Sequence, residues 1–505
     1  MTNRLLRLLL SVAAALALAS CSEAALDAFE ADPSLVQDIV TGQTLVFVGT
    51  DPITLQSDIY LVRAVSDRFS DEEPDLRDAQ DFVVEPLGAL TESARNGSVV
   101  QNDADQIFPV EAPFVVPDEQ GLRVLGTSLT YDEEGSVLGG RLVLVNITPL
   151  QHQVSPMIPG LLSARFTWAG DWLVLQLQDP LTGAKSLEVV RADRIEEESA
   201  RIPIGPVDEG DVEFAELIRD RDSFLARVVD PATSRADVVE LDPDTGTSTV
   251  LTAGTDLSVA APRMSADGSL LAVTLQVEAA DDAALRREIG VFDLAVGGPP
   301  VFLAGDASVD CGRPAWSPPE SVSPQPILAY ACRRLDNGRP DLHLWQSATA
   351  SVEPVVLTAT SQQEVPGGSI DGLVLRAGPL WDPSGERLVF GASTEEQALE
   401  DEGMTILAFP LSADAPLETQ QPQAYAVYPS GFGAADWVHF SAGSPVPILM
   451  LWDRGETGLE DSAGGHPIEV VSVEEDGGLP RPVALGVDLR VSFPVFLGRN
   501  TLFYR

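Results

Sequence analysis

Lysine is almost missing from this sequence: Lys185 stands alone among 505 residues. That scarcity removes most lysine-based catalysis and leaves no polybasic patch to hold the chain on an anionic membrane. Lysine and arginine together number 31 against 77 acidic residues, a net charge of −46. Such a surface repels a phosphate backbone, so nucleic acid is excluded as a partner. Histidine is nearly as rare. His152, His343, His439 and His466 are all more than four residues apart, and no metal-ligand spacing emerges. Only side chains gathered from distant segments at a common axis could hold a metal. Also lacking are a Gly-x-Ser-x-Gly nucleophile elbow, a Walker loop, a Gly-x-Gly-x-x-Gly turn after a strand, and the alternating acids of an EF-hand loop. Acidic clusters such as Asp208 to Glu216 and Glu474 to Asp476 read as solvated loops, with weakly bound calcium or a cationic partner as the alternative.

One apolar run does stand out, at the amino terminus. Arg4 and Arg7 precede the stretch Leu8 to Leu18, which is interrupted only by Ser11 and stops short of the ~20 residues a bilayer span requires. Leu18-Ala19-Ser20-Cys21 follows, and it resembles the bacterial lipobox, in which the cysteine thiol receives a diacylglycerol and becomes the new first residue. The expectation is a lipoprotein signal peptide over residues 1–20, lipid on Cys21, and an acidic tether over 21–43. By resemblance to Gram-negative lipoproteins, Ser22 directs passage to the outer membrane. No further hydrophobic segment of spanning length occurs.

With 44% apolar residues, 41 glycines and 38 prolines, the rest of the chain can bury sizeable cores and turn often. A degenerate repeat runs through it. Its clearest copies are Pro262 to Val273, Pro314 to Pro319 and Pro379 to Phe390, each a short strand, a tight polar turn and a second strand. A large apolar residue fills the slot two positions after the proline. Weaker copies extend the series to Val115, Trp168, Leu217, Met264, Trp316, Trp381, Trp437 and Phe496, roughly fifty residues apart. Third strands such as Asp58 to Val62 and Asp341 to Trp345 follow, then fourth strands ending in Leu-Thr at 90–91, 251–252 and 357–358. Four short strands per period make a propeller blade, so residues 44–505 are expected to form an all-β propeller. Eight slots imply eight blades, or seven if the copy around Leu217 is false. Carboxy-terminal strands would close the ring on the strands of residues 44–91, although Leu45 to Val48 and Leu502 to Tyr504 compete for one place. Helix is expected only locally, at Asp281 to Glu288 and Glu395 to Glu402.

The Pro-x-Trp-Ser-Pro turn, the Asp-Ile-Tyr-Leu third strand and the terminal Leu-Thr together resemble the TolB-type propeller repeat. That resemblance implies envelope partners, but TolB carries a separate amino-terminal domain with no counterpart here, so no specific partner carries over.

Candidate site residues are few. Cys311 and Cys332 fall on adjacent expected strands of one copy; a disulfide is expected, with buried free thiols as the alternative, in a register that sets residue 314 opposite 329. Trp168, Met264, Trp316, Trp381 and Trp437 recur at the blade period and read as inter-blade packing rather than a sugar platform. Asp267 and Asp382 lie in repeat turns, where an Asp more often bonds its own backbone. The functional expectation is a lipid-anchored, non-enzymatic scaffold in the cell envelope that binds other envelope proteins, without catalytic residues, metal or cofactor. The alternative is a carbohydrate-binding or small-ligand-binding protein or enzyme using the central channel.

Overall fold

The computed structural model describes residues 151–205, 210–252, 257–277, 286–303, 309–318, 325–335 and 340–346, together with the other strands named below. Residues 1–43, hence Cys21 and the tether, lie outside the described residues. So do Leu90-Thr91, Glu395 to Glu402, His466 and Leu502 to Tyr504.

Seven four-stranded antiparallel sheets and one of five strands, in which Ile158–Pro159 is the short fifth, account for nearly all the described strands. Sheet I combines Arg490–Leu497, Thr44–Thr50, Ser57–Val65 and Asp81–Pro86 in that spatial order. The other seven take their strands consecutively. Sheet II starts at Phe114–Pro117, sheet III at Leu161–Phe166, sheet IV at Asp211–Leu217 and sheet V at Ser258–Met264. Sheet VI starts at Val309–Trp316, sheet VII at Leu373–Trp381 and sheet VIII at Ala435–Phe440. A separate two-stranded hairpin, Glu364–Val365 with Gly368–Ser369, precedes sheet VII. The first strands of most successive sheets touch one another, and Arg490–Leu497 of sheet I touches the first strands of both VIII and II. The sheets therefore follow one another around a closed path with their first strands innermost, which is a β-propeller. Pairing of Thr44–Thr50 with Arg490–Leu497 joins the two ends of the described chain. It gives the otherwise free edge of Thr44–Thr50 a partner.

This architecture resolves two ambiguities of the sequence. Leu45 to Val48 forms the second strand of sheet I. The obscure copy around Leu217 is a complete four-stranded sheet, IV. One expectation needs correction: Arg286 to Glu288, read as the end of a helical turn, opens the strand Arg286–Asp293, because Ile289, Val291 and Phe292 are wanted in two cores at once.

Packing explains the apolar runs. Each core is shared by two neighbouring sheets: II with III, III with IV, IV with V, V with VI, and VI with VII. In Ile327–Arg334, Leu328 and Tyr330 face sheet V while Ile327 and Ala329 face sheet VII. A strand buried on both sides cannot alternate apolar with polar, so the period of two survives only as a choice of neighbour.

The repeat prolines have a shared role. Pro262, Pro314, Pro379 and Pro494 each fall where the first strand slips its register against the second, between Ala260 and Arg263, Gly312 and Ala315, Ala377 and Leu380, and Ser492 and Val495. A proline has no N–H to give a ladder, and a bulge is where that loss is tolerated. At one of these bulges Gly378 holds φ 85°, and a Cβ there would lie 2.9 Å from the Val389 carbonyl oxygen.

Candidate functional site: the inner edge and its carboxylates

The disulfide region departs from the expected register in one detail. Cys311 and Cys332 are joined and sit opposite each other, but Ala315, not residue 314, faces Ala329. The bulge at Pro314 inserts the extra residue.

Register also redefines the repeat slot. Met264, Trp316, Trp381 and Phe496 pair with the second residue of the next strand, at Leu271, Leu328, Leu388 and Leu45. In sheet III that position belongs to Phe166, opposite Leu173, and in sheet VIII to Phe440, opposite Leu449. Trp168 and Trp437 are thus displaced from the slot assigned to them, Trp437 pairing instead with Trp452. Trp168 stands on the turn, donating from Nε1 to Asp220 at 3.1 Å, with the Arg219 guanidinium 6.0 Å from its ring centre. The tryptophans in register behave alike. Trp316 Nε1 donates to the Arg263 carbonyl at 2.9 Å and Trp381 Nε1 to the Ala315 carbonyl at 3.0 Å, so each ties its sheet to the residue before the previous sheet's slot.

A second recurring feature went unread in the sequence. The residue after the slot carries an oxygen: Thr167, Ser265, Ser317 and Asp382, all buried. Each side chain accepts the first N–H of the second strand, from Trp172, Leu270, Ile327 and Arg387 respectively. Beside it, Asp267 accepts from Ser265 Oγ at 2.6 Å and from Ser269 N at 3.1 Å. Burial would raise that carboxyl, and these bonds more than offset it, leaving it below its usual range. Asp382 also accepts from Ser384 and from the Arg387 guanidinium, but its burial dominates and raises its pKa. Both aspartates hold turns together.

Carboxylates on the innermost strands bridge sheets. Glu213 accepts from Lys185 Nζ of sheet III at 2.7 Å and from Arg227 of its own sheet at 3.0 Å. Burial would raise it, but these two cations hold it below the ordinary glutamate value. Asp310 of sheet VI binds Arg287 of sheet V. Asp222 accepts from Thr167 Oγ1 at 2.5 Å, linking the turns of sheets III and IV; burial raises its pKa and Asp171 and Asp244 add to the rise. Glu216 differs from all of these. It accepts from the Met264 backbone N–H at 2.8 Å and lies 3.6 Å from Arg263, yet burial pushes its carboxyl up to about 7. Some 19% of its side chain still reaches solvent. Glu216 is therefore a group on the inner edge that exchanges a proton near neutrality. Nothing local marks it, since its partners lie 48 residues on. Among the described residues no group of three or more His, Cys, Asp or Glu is placed to hold a metal.

No family model matches this sequence, and no curated protein matches it either. Solved structures show a partial likeness to it. A prolyl endopeptidase is 12% identical, with a TM-score of 0.45 over 75% of this chain and 49% of that one, so the chain spans about half of that protein's length. The β-propeller domain of the Trilobed protease from Pyrococcus furiosus is 7% identical, TM-score 0.40, over 72% of this chain and 95% of the other. TolB from Acinetobacter baumannii is 14% identical, TM-score 0.33, over 75% and 83%.

Proposed function

We propose that this chain is a lipid-anchored envelope propeller of eight blades that works without catalysis or cofactor, presenting its rims to another envelope protein. The observation that carries this reading is the employment of its acidic side chains. Glu213, Asp222, Asp267, Asp310 and Asp382 are each engaged by partners that join strands or sheets. What a rigid ring of this kind leaves free is its turns. Leu181, on a turn joining second to third strands, is 94% exposed, and Val296, on a turn joining third to fourth strands, is 81% exposed; they lie at opposite ends of their sheets. Apolar tips on a rigid scaffold suit recognition. The lipobox at Leu18 to Cys21 supports export to the outer membrane with the body facing periplasm or medium, and the resemblance of the sequence repeat to the TolB type supports an envelope setting.

The test combines fatty-acid-analogue labelling with crosslinking in intact cells. Wild type should incorporate label and Cys21→Ala should not. One of Leu181→Asp and Val296→Asp should abolish a specific crosslink that the other preserves. Label that persists in Cys21→Ala, or crosslinks indifferent to both rims, would refute the proposal.

A second reading rests on Glu216. An acid titrating near pH 7 beside Arg263 on the inner edge suits binding of a small polar ligand in the channel. Glycans or divalent metals that raise the melting temperature by several degrees in wild type, but not in Glu216→Gln, would favour it.

A further inference from the structure

The interface between sheets V and VI holds an unusual set of polar atoms. Tyr330 is fully buried, Thr274 is 3% exposed and Trp345 8% exposed, and both ring nitrogens of His343 are shut away from solvent. Tyr330 Oη, Thr274 Oγ1, Trp345 Nε1, His343 Nδ1 and His343 Nε2 meet no protein hydrogen-bond partner. All four side chains project into the same seam. Tyr330 and Trp345 belong to the core shared with sheet V. His343 is the register partner of Tyr330, and Thr274 lies two residues from Ala272 on the strand that faces them. Five orphaned atoms in one interface are too many to leave unexplained, since a buried polar group without a partner keeps the full cost of its desolvation.

These residues do not satisfy one another. The Tyr330 and His343 rings stack at 5.1 Å with their planes only 14° apart. Hydroxyl and ring nitrogens, lying in near-parallel planes, therefore cannot aim at each other. The chemistry of the set then selects the occupant. Trp345 Nε1 can only donate, and a neutral imidazole must have one nitrogen that only accepts. A cation would face the indole N–H, and an anion would face the imidazole lone pair. Water alone both accepts from the indole and donates to the imidazole, and the two hydroxyls accommodate either direction.

We propose that the seam between sheets V and VI is an internal hydration site, in which water bridges Tyr330, His343, Trp345 and Thr274. With about three hydrogen bonds per buried water, five atoms call for about two molecules. This wet seam is distinct from the inner edge and does not depend on what the rims bind.

The test is a high-resolution crystal structure of the whole chain, paired with water-oxygen magnetic relaxation dispersion in solution. The expected result is ordered water about 2.7–3.2 Å from Tyr330 Oη, Trp345 Nε1 and a His343 nitrogen, with a long-lived relaxation component. Tyr330→Phe combined with Thr274→Val should remove one or more of these waters and lower that component. Chloride identified by anomalous scattering, another bound molecule, or density showing the atoms paired directly would overturn the proposal. If the double variant does not fold, the wild-type density decides alone.

Discussion

The two faces of sheet VI are built from alternate residues of the same strands, and they solve burial in opposite ways. Toward sheet VII, Ile327, Ala329, Leu342 and Leu344 meet Trp381, Leu388, Phe390, Leu407 and Phe409, and the one polar atom among them, Trp381 Nε1, is spent on the Ala315 carbonyl. Toward sheet V the same strands present Tyr330, His343, Trp345 and the Cys311–Cys332 bridge. Ring closure requires both faces to be buried, and it dictates nothing about their chemistry. A dry face gains from apolar area alone, at roughly 25 cal/mol per Å². A polar face of equal area must find partners for each heteroatom, and is worth less for it.

Truncation on the dry face should have the largest effect. Phe390 is 2% exposed and stacks on Phe409 at 5.6 Å between ring centres. Phe390→Ala should lower unfolding free energy by about 3–5 kcal/mol, read from the denaturant midpoint at unchanged slope. Tyr330→Phe on the other face removes a single hydroxyl and should cost no more than about 1.5 kcal/mol. A loss at Tyr330→Phe as large as that at Phe390→Ala would show that hydrogen bonding at the hydroxyl, rather than packing, holds the polar face.

The disulfide comes next. Its sulfurs close a loop with a sequence separation of 21 and lie in a buried pair of strands, so replacing Cys311 and Cys332 together by alanine should cost about 3 kcal/mol. Added reductant should destabilise the wild type on unfolding and leave the double variant unchanged. If the variant matches wild type in stability, the bridge merely fills space in the seam.

How much of this was legible beforehand depended on the range of each signal. The strand-turn-strand copies at Pro262, Pro314 and Pro379 carried the fold, because a proline, a large apolar residue and a polar turn act within about a dozen neighbours. Their register did not show, since the bulge adds one residue where the proline withholds its N–H, so residue 314 reads as lying opposite 329; in Leu161–Phe166 no proline marks the slot, so Trp168 reads in place of Phe166. The oxygen after each slot, at Thr167, Ser265, Ser317 and Asp382, was present in the sequence but takes three residue types and so does not look like a repeat. Glu216 and the V–VI seam were invisible for a plainer reason. Their character comes from burial and from residues tens of positions away, and an isolated Glu or His at those places looks like any other.

The smallest net effect is a pH dependence in which the seam and the inner edge oppose each other. Burial lowers His343 from 6.5 to about 4, helped by Arg334 and resisted by Asp341. Between those values the unfolded chain holds the extra proton, so stability contributed by neutral His343 is complete above about pH 6.5 and is lost as pH falls through about 4. Glu216 runs the other way, from 4.5 unfolded to about 7 folded. The folded chain holds its extra proton, so that stability is complete below 4.5 and is lost as pH rises through about 7. Each slope amounts to at most about 3 kcal/mol on its own. In wild type they largely cancel across pH 4.5 to 6.5, and melting temperature should change little there apart from the titration of the other carboxyls, among them Asp222 and Asp382, which burial also raises. Glu216→Gln, which keeps an acceptor for the Met264 N–H, should unmask a curve that rises with pH over this window. His343→Phe, which keeps the stack on Tyr330, should unmask one that falls. Parallel curves in all three proteins would mean that neither group titrates as its burial dictates.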